Sequence, residues 1–549
     1  LQYPRSIDKS PAKMTKTKCY VIGVGMTKFE KPGKRDWDYP DMVKEAVNKA
    51  LDDCKLKYED IQQATVSYLF GGTCCGQRAL YEIGFTGIPI YNVNNACASG
   101  SSGVFLCKQI LESGNADVVM ACGFEKMASG SLENMAGATD DRALSVDHHI
   151  EVMANTHGLQ PAPITAQMFG MAALDHMKKY GTKREHFAKI AHKNHLHSIH
   201  NENSQFQKEF SLDEVINARK IYDFMGLLEC SPTSDGSAAA IICSENYLKK
   251  HPELRKQAVE IVGMQMGTDL PSVFKEDNIK MIGYDMIERI SKNLYKDTGY
   301  GPNDIQVIEM HDCFAPNELI TYEAIGLCPL GKGGELVDRK DNTYGGKWVI
   351  NPSGGLISKG HPIGATGVAQ VVELSNQLRG RCGKRQVPNA KLAMQHNIGI
   401  GGAGVVGLYK LADGAAAGGA SISKAPAAAG GALKSCAVFQ EIKERVNTEK
   451  DLVKKAGNLV ARFIVTGDNG VTTNWLVDLK QNPPFVGHND SVKAELDVTL
   501  SDEAFMNLAA GKIKPDQAFM KGQIKVKGNI AKAMKLQTIL NPSMLKLKL

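Results

Sequence analysis

The sequence predicts an α/β protein over roughly the first four fifths of its 549 residues, followed by a small α+β unit. Three observations carry that expectation. Short β-rich runs alternate with amphipathic helical stretches from Cys19 to Leu408, the pattern of a mostly parallel sheet with helices on both faces. Residues Ala412 to Leu433 read ADGAAAGGASISKAPAAAGGAL, with Ala or Gly at 15 of 22 positions, and such a segment buries little and acts as a tether. Beyond it the pattern changes to a hairpin, short strands and short helices.

In chain order, Cys19 to Val24 reads as a strand, and Asp41 to Cys54 as a helix with Met42, Val43, Ala46, Val47, Ala50 and Leu51 on one face. Strand-like runs follow at Ala64 to Phe70, Ile90 to Val93 and Asp117 to Ala121. The second half repeats the theme at Ala258 to Met264, Ile305 to Met310, Lys391 to Gln395 and Val405 to Leu408. Each half places a reactive residue ahead of a glycine-rich helix start, Cys97 in NNACASGSSGVFLCKQIL and His361 in GGLISKGHPIGATGVAQVVEL, which suggests an internal duplication. Glu125 to about Leu228 breaks the rhythm and reads as an inserted loop domain.

The expected divisions are therefore a leader or appended remnant at 1–14 and a large unit at 15–411. Within the large unit, an N-terminal half takes about 15–124 and 229–255, the loop domain about 125–228, and a C-terminal half about 256–411. The tether spans 412–433 and the small unit 434–549. In that unit Val438 to Val446 reads as a helix, and Leu459 to Val465 pairs with Thr472 to Leu479 around Gly467-Asp-Asn-Gly470. A strand at Ala494 to Leu500, a helix after Ser501, a strand at Gln523 to Lys527 and an amphipathic helix from Asn529 to Leu540 complete it.

Composition narrows the function classes. With 43% hydrophobic and 23% charged residues, disordered and fibrous proteins are excluded. Apolar runs such as Ala238 to Cys243 are far too short for a membrane-spanning helix. From Gly431 onward there are 18 basic and 12 acidic residues, and before it 47 of each, so the net +6 belongs to the last fifth. That excess fits an anionic membrane surface or acidic partner as well as a solvated lysine-rich face; no nucleic-acid partner is expected. Thirteen cysteines without a CxxC pair and a polar, basic start point to a reducing compartment with free thiols.

Four segments carry candidate chemistry. Cys97 precedes a helix of small residues, where unpaired N–H groups and the dipole would lower a thiol's pKa; the alternative is a buried cysteine in a tight turn. His361 lies in Gly360-His-Pro362, at the cap of a helix begun by proline, where an imidazole can act as base or oxyanion donor. His311-Asp-Cys313-Phe314 ends a strand-like run, where α/β sheets gather their sites. If the strand persists, His311 and Cys313 face one side. Asn397-Ile-Gly399-Ile-Gly401-Gly402 offers backbone N–H groups for an oxyanion. The run His186, His192, His195, His197 and His200, with Lys189 and Lys193, has metal-like spacings without partnering carboxylates; it reads as a solvated basic helix beside a polyanion, and no metal site is assigned. No phosphate-loop or dinucleotide fingerprint is present.

Together NNACASGSSG, HDCF at 311–314, NPSGGLISKGHPIGATG at 351–367 and HNIGIGG at 396–402 resemble the thiolase superfamily, and within it the sterol-carrier-protein type of 3-oxoacyl-CoA thiolase. That type carries its second cysteine in HDCF and an Asn where other thiolases have a Cys, as Cys313 and Asn397 do here. The segment AFMKGQIKVKGNIAKAMKLQ is similar to the sterol carrier protein 2 lipid-transfer domain. Ala96 stands where family members often carry another Asn.

The resemblance implies a thiolase fold of two duplicated βαβ-type halves with an inserted loop domain, followed by a small α+β lipid carrier. It implies thiolytic cleavage of 3-oxoacyl-CoA through an acyl-Cys97 intermediate. His361 would activate Cys97, His311 and His361 would bind the enolate, Cys313 would move protons, and the backbone N–H groups of Cys97 and Gly399 would hold the thioester oxyanion. CoA is the implied co-substrate, with Lys189 and Lys193 beside its phosphates, and no permanently bound cofactor is expected. The family further implies a homodimer, a fatty acyl or sterol ligand in the small unit, and peroxisomal β-oxidation of fatty, branched-chain or sterol side-chain substrates, with the cytoplasm as a second location. Lys548-Leu549 suits a peroxisomal import receptor, although Leu547 is bulky for that address. A lipid-transfer protein with a catalytically silent thiolase scaffold is the alternative.

Overall fold

The computed structural model describes residues 16–128 and 146–413, and in the small unit Ser435, Val438, Phe439, Ile442, Val446, 459–467, 472–481, 484–487, Val492, 494–509, Ile513, 517–518 and 524–528. The expected leader at 1–14, nearly all of the tether, the helix at Asn529 to Leu540 and the C-terminal Lys546 to Leu549 lie outside them. The chain divides into two compact units, Leu1–Ala420 and Ser421–Leu549.

The large unit is built on strands β1 (Cys19–Met26), β2 (Gln63–Ser67), β3 (Ile90–Val93), β4 (Val118–Glu125), the short pair β5 (Lys220–Tyr222) and β6 (Met225–Gly226), β7 (Gly236–Ser244), β8 (Val259–Gly267), β9 (Val307–Glu309), β10 (Val349–Ile350), β11 (Leu392–Gly399) and β12 (Ala403–Leu411). Ten of these form one sheet in the order β10-β9-β11-β12-β8-β1-β7-β4-β2-β3. Its two halves repeat one plan. In each, the second, third and fourth strands run parallel, the fifth returns antiparallel beside the fourth, and the first pairs with the fifth. The first strands, β1 and β8, meet antiparallel at the centre. The sheet is thus mixed rather than mostly parallel, because β7 and β12 each return directly beside the strand before them.

Side-chain alternation builds two cores from one strand. Tyr20 and Ile22 pack with Val43 and Val47 of helix Tyr39–Cys54 on one face. Cys19 and Val21 pack with Val104 and Val368 on the other. That second face holds the two helices that follow the third strand of each half, Ser99–Glu112 and Ile363–Leu378. They cross at glycines. A Cβ on Gly100 would stand 2.8 Å from the Gly364 carbonyl oxygen, and one on Gly367 would stand 2.2 Å from the Ser101 nitrogen. Only backbone fits there.

Between β4 and β7 lie helices Asp147–Thr156, Ile164–Tyr180, Arg184–Ser198 and Leu212–Ile216 and the β5–β6 pair. Phe169, Phe187 and Ile190 from this region pack with Ile320, Tyr322 and Ile357 of the C-terminal half.

In the small unit, β13 (Val460–Thr466), β14 (Thr472–Asp478), β15 (Phe485–Gly487), β16 (Leu496–Ser501) and β17 (Ile524–Gly528) form a sheet in the order β15-β14-β13-β16-β17. β13 and β14 make the expected hairpin and β13 runs parallel to β16. Helix Asp502–Ala509 and the helical residues Val438, Phe439, Ile442 and Val446 cover one face. Phe439 stacks on Trp475 with ring centroids 4.7 Å apart.

Candidate active site

Corresponding positions of the two halves supply the reactive groups. Cys97 follows β3 and precedes helix Ser99–Glu112, and His361 follows β10 and precedes helix Ile363–Leu378. Because those helices cross at Gly100, Gly364 and Gly367, their starts come together. His311 follows β9, and Gly399 ends β11. One ligand atom each of Cys97, His311 and His361 lie within 4.8 Å of one another. The two imidazole rings stand 5.3 Å apart at 81°. All three residues, and Cys313, are buried. The site is dry.

The turn at Cys97 is tightly built. Ala96 holds φ 46°, a left-handed conformation that Asn or Gly adopts more readily. The Ser99 hydroxyl donates to the Ala96 carbonyl at 2.6 Å and accepts from the Asn95 N–H at 2.8 Å. Gly399 passes against this turn so closely that a Cβ would stand 2.1 Å from the Asn95 carbonyl oxygen.

Hydrogen bonding fixes the tautomer of His361. Thr366 donates its hydroxyl proton to the Pro362 carbonyl at 3.0 Å. A hydroxyl so committed accepts from His361 Nδ1, 2.6 Å away, the arrangement that puts the ring proton on Nδ1. Nε2 is left with a lone pair, buried and without a partner. The His361 N–H donates to Ser234 Oγ at 3.0 Å, which anchors the residue from a second side. Burial and the neighbouring His311 keep His361 far below the usual imidazole range. Burial pushes His311 down to about 3. Both rings are neutral in the resting site.

The thiols are held neutral too. Burial, reinforced by the Glu125 carboxylate, raises Cys97 to about 12, against the opposing pull of backbone N–H groups at Cys97 and Ile400. This corrects the expectation from the helix N-terminus alone: removal from water outweighs the local dipole. Cys313 is raised well above the thiol range, by burial first and then by Cys97, so each sulfur feels the other. The strand ahead of it stops at Glu309. His311 and Cys313 are therefore placed by an irregular segment, not by strand alternation. Glu125, unremarked in the sequence, is wholly buried at the end of β4. It accepts from the N–H groups of Leu69, Phe70 and Gly364, and burial raises it to about 7.

The basic run does not line this centre and is solvated only in part. Most of it forms helix Arg184–Ser198, in which His186, Lys193, His195 and His197 are buried, whereas Lys189 is half-buried and His200, beyond the helix, is exposed. Lys193 bonds Glu318 and the Ile350 carbonyl, and Lys189 and His186 both bond Asp338. The carboxylates that the local sequence lacked arrive from 120 or more residues away, and Lys193 has no route to a CoA phosphate. Lys189 is likewise engaged. Among the described residues, the set close enough to share a metal ion is Cys97, His311 and His361, a thiol and imidazoles of the kind zinc accepts.

Two cavities flank the centre and share Thr165. One, of about 350 Å³, is lined by Leu69, Ala96, Ile164, Met168 and Ile400. The other, of about 550 Å³, runs along Phe206, Ile221, Cys230, Ser231 and Phe314 to Lys31 and Lys34.

Comparison with known proteins follows the same division. Residues 19–246 match the thiolase N-terminal domain, 275–406 the thiolase C-terminal domain-like family and 439–541 the SCP-2 sterol transfer family. The chain is 52% identical over 537 residues to sterol carrier protein 2 of Bos taurus, covering 97% of this chain and 98% of that one. It is 77% identical over 399 residues to non-specific lipid-transfer protein-like 2 of Caenorhabditis elegans, covering 72% and 97%. Among solved structures it resembles human mitochondrial 3-ketoacyl-CoA thiolase, with TM-score 0.53, 19% identity and coverage of 72% and 99%. It also resembles the Ltp2-ChsH2(DUF35) aldolase, with TM-score 0.60, 20% identity and coverage of 72% and 98%.

Proposed function

Because this chain belongs to the sterol carrier protein 2 family and is an acyltransferase of the thiolase type, we propose that it cleaves 3-oxoacyl-CoA with CoA at Cys97, His311, Cys313 and His361. The observation that carries the reading is the lone pair of His361 Nε2, buried beside Cys97 and His311 and aimed at no other partner. Cys97 Sγ attacks the 3-keto carbon while its proton passes to Nε2, and Thr366 holds the other ring nitrogen. The tetrahedral adduct breaks its C2–C3 bond, leaving an acyl group on Cys97 and the enolate of the departing short-chain CoA thioester. His311 and the protonated Nε2 of His361 bind the enolate oxygen, and the Cys313 thiol protonates its carbon. A second CoA gives its thiol proton to the Cys313 thiolate and attacks the acyl-Cys97 carbonyl, whose oxyanion rests on the N–H groups of Cys97 and Gly399. Collapse releases the shortened acyl-CoA, and His361 returns the proton to Cys97.

The buried site supports this sequence. Resting thiols and imidazoles are neutral, so the enolate meets the imidazolium of His361 in a low-dielectric setting, where each donor is worth most. We assign CoA to the cavity of about 550 Å³. Ser231 and Phe314 place its inner end beside Cys313, while Lys31 puts a cation where phosphates would lie, next to a Lys34 already paired with Glu30. The acyl tail takes the smaller cavity past Ala96 and Met168. The small unit carries a fatty acyl or sterol ligand, and peroxisomal β-oxidation is the setting the family suggests. A homodimer is proposed through the sheet edge at β3, where Tyr81, Phe85 and Tyr91 stand exposed.

One observation favours a second reading. The C. elegans relative matches the thiolase part of the chain yet is named for lipid transfer, as a silent scaffold would be. A CoA-dependent cleavage assay on straight and 2-methyl-branched 3-oxoacyl-CoAs separates the two. Turnover by wild type that disappears in Cys97→Ala is expected; turnover that persists in that variant removes Cys97 from the mechanism.

A further inference from the structure

The middle of the HDCF segment has no part in the chemistry above, yet its carboxylate accepts three hydrogen bonds beside the site. Asp312, fully buried between His311 and Cys313, accepts from the N–H of Leu356 at 2.6 Å and of Ile357 at 3.3 Å, and from the Asn194 amide at 2.8 Å. Leu356 and Ile357 belong to the short helix Gly355–Lys359, which leads through Gly360 straight to His361. Gly355 has φ +60°, and a Cβ there would stand 2.2 Å from the Asp312 carboxylate, so the turn leaves a seat that only glycine allows. The Asn194 amide also donates to Glu318 at 2.6 Å, and Glu318 pairs with Lys193. Glu318 further accepts from Asn351, whose own side-chain oxygen accepts from the Met310 N–H at 2.8 Å.

One carboxylate thus clamps the segment bearing His311 and Cys313 to the segment bearing His361. We propose that Asp312, steadied by Asn194, is a positioning residue that sets the distance between His311 and His361 and thereby the geometry of the enolate site. Asp312 touches no reacting atom. His361 keeps its own anchors at Thr366 and Ser234, so its service as base to Cys97 does not depend on the clamp. This inference rests on the thiolase reading and deepens it. Two half-reactions distinguish them. Exchange of labelled CoA into acetyl-CoA passes through acyl-Cys97 and uses Cys97, His361, Cys313 and the backbone oxyanion site, but forms no enolate. Cleavage of 3-oxoacyl-CoA also needs the His311–His361 pair.

The test compares both reactions in the full chain for wild type, Asp312→Asn and Asn194→Leu, with thermal unfolding as a check that each variant folds. Cleavage is expected to fall about 100-fold in Asp312→Asn and about 10-fold in Asn194→Leu, while exchange falls less than about 3-fold. Equal losses in both reactions, or unchanged cleavage in folded variants, overturn the positioning role. Absence of exchange in wild type overturns the thiolase reading and this proposal with it.

Discussion

Gly367 and Ser101 touch backbone to backbone: a Cβ on Gly367 would stand 2.2 Å from the Ser101 nitrogen and 2.8 Å from the Gly100 carbonyl carbon. This contact sets how near the start of helix Ile363–Leu378 comes to Cys97.

Gly367→Ala therefore has to push the helices apart. A displacement of about 1 Å at reacting groups costs on the order of 100-fold in rate. Steady-state cleavage should show that loss in kcat, with a lower melting temperature, whereas Gly114→Ala, where nothing stands within 4 Å, should leave kcat unchanged.

Thr366→Val removes the acceptor that fixes the His361 tautomer while keeping the side chain's shape. We expect kcat to fall by roughly 10- to 100-fold, less than the roughly 100- to 10,000-fold of a whole general-base contribution, because the imidazole itself remains. Thr366→Ser restores the acceptor and should recover most of the rate. Equal activity of the Val and Ser variants would mean that the 2.6 Å contact does not set the proton's place.

Glu125 adds its negative charge to the burial that raises Cys97. Since its own pKa lies at about 7, the carboxylate ionises across neutral pH and makes the thiol harder to ionise above that point. Alkylation of Cys97 by iodoacetamide should therefore be several-fold faster at pH 8 in Glu125→Gln than in wild type, with the gap closing at pH 6. Rates that differ equally at both pH values would exclude the charge as the cause.

Acid should destabilise the large unit below the ordinary imidazole pKa, through its buried histidines. Burial lowers His195 to about 4 and His197, His311 and His396 to about 3. Between those values and the ordinary imidazole pKa near 6.5 the unfolded chain binds more protons than the folded one, so stability is lost as pH falls through that window. Each such histidine contributes up to about 1.4 kcal/mol per pH unit. The melting temperature measured from pH 7 to pH 5 should drop steeply, and His197→Asn should flatten the slope.

Cys97 and His361 were legible because each sits in a short run of small residues, and His311 and Cys313 because HDCF follows a strand-like run. Cys97, His361 and the paired glycine-rich helix starts all point to one place, and the two halves of the sheet repeat one strand plan. Helix Arg184–Ser198 was misread because its pattern of Lys and His is that of a wet surface. What buries it are Asp312, Glu318 and Asp338, more than a hundred residues onward, and no local periodicity reports partners at that separation. The pKa of Cys97 was misjudged for a related reason: a helix start can be read from sequence, but the depth of the cavity around it cannot. Thr366 did leave a signal, a hydroxyl one turn into the helix that His361 begins.

Because Cys97 comes from one repeat and His361 from the other, neither repeat alone encloses the pair. Iodoacetamide labelling of Cys97 during refolding would thus report the moment the two repeats dock. The thiol would be freely labelled while they are apart and become protected once their glycines lock the crossing.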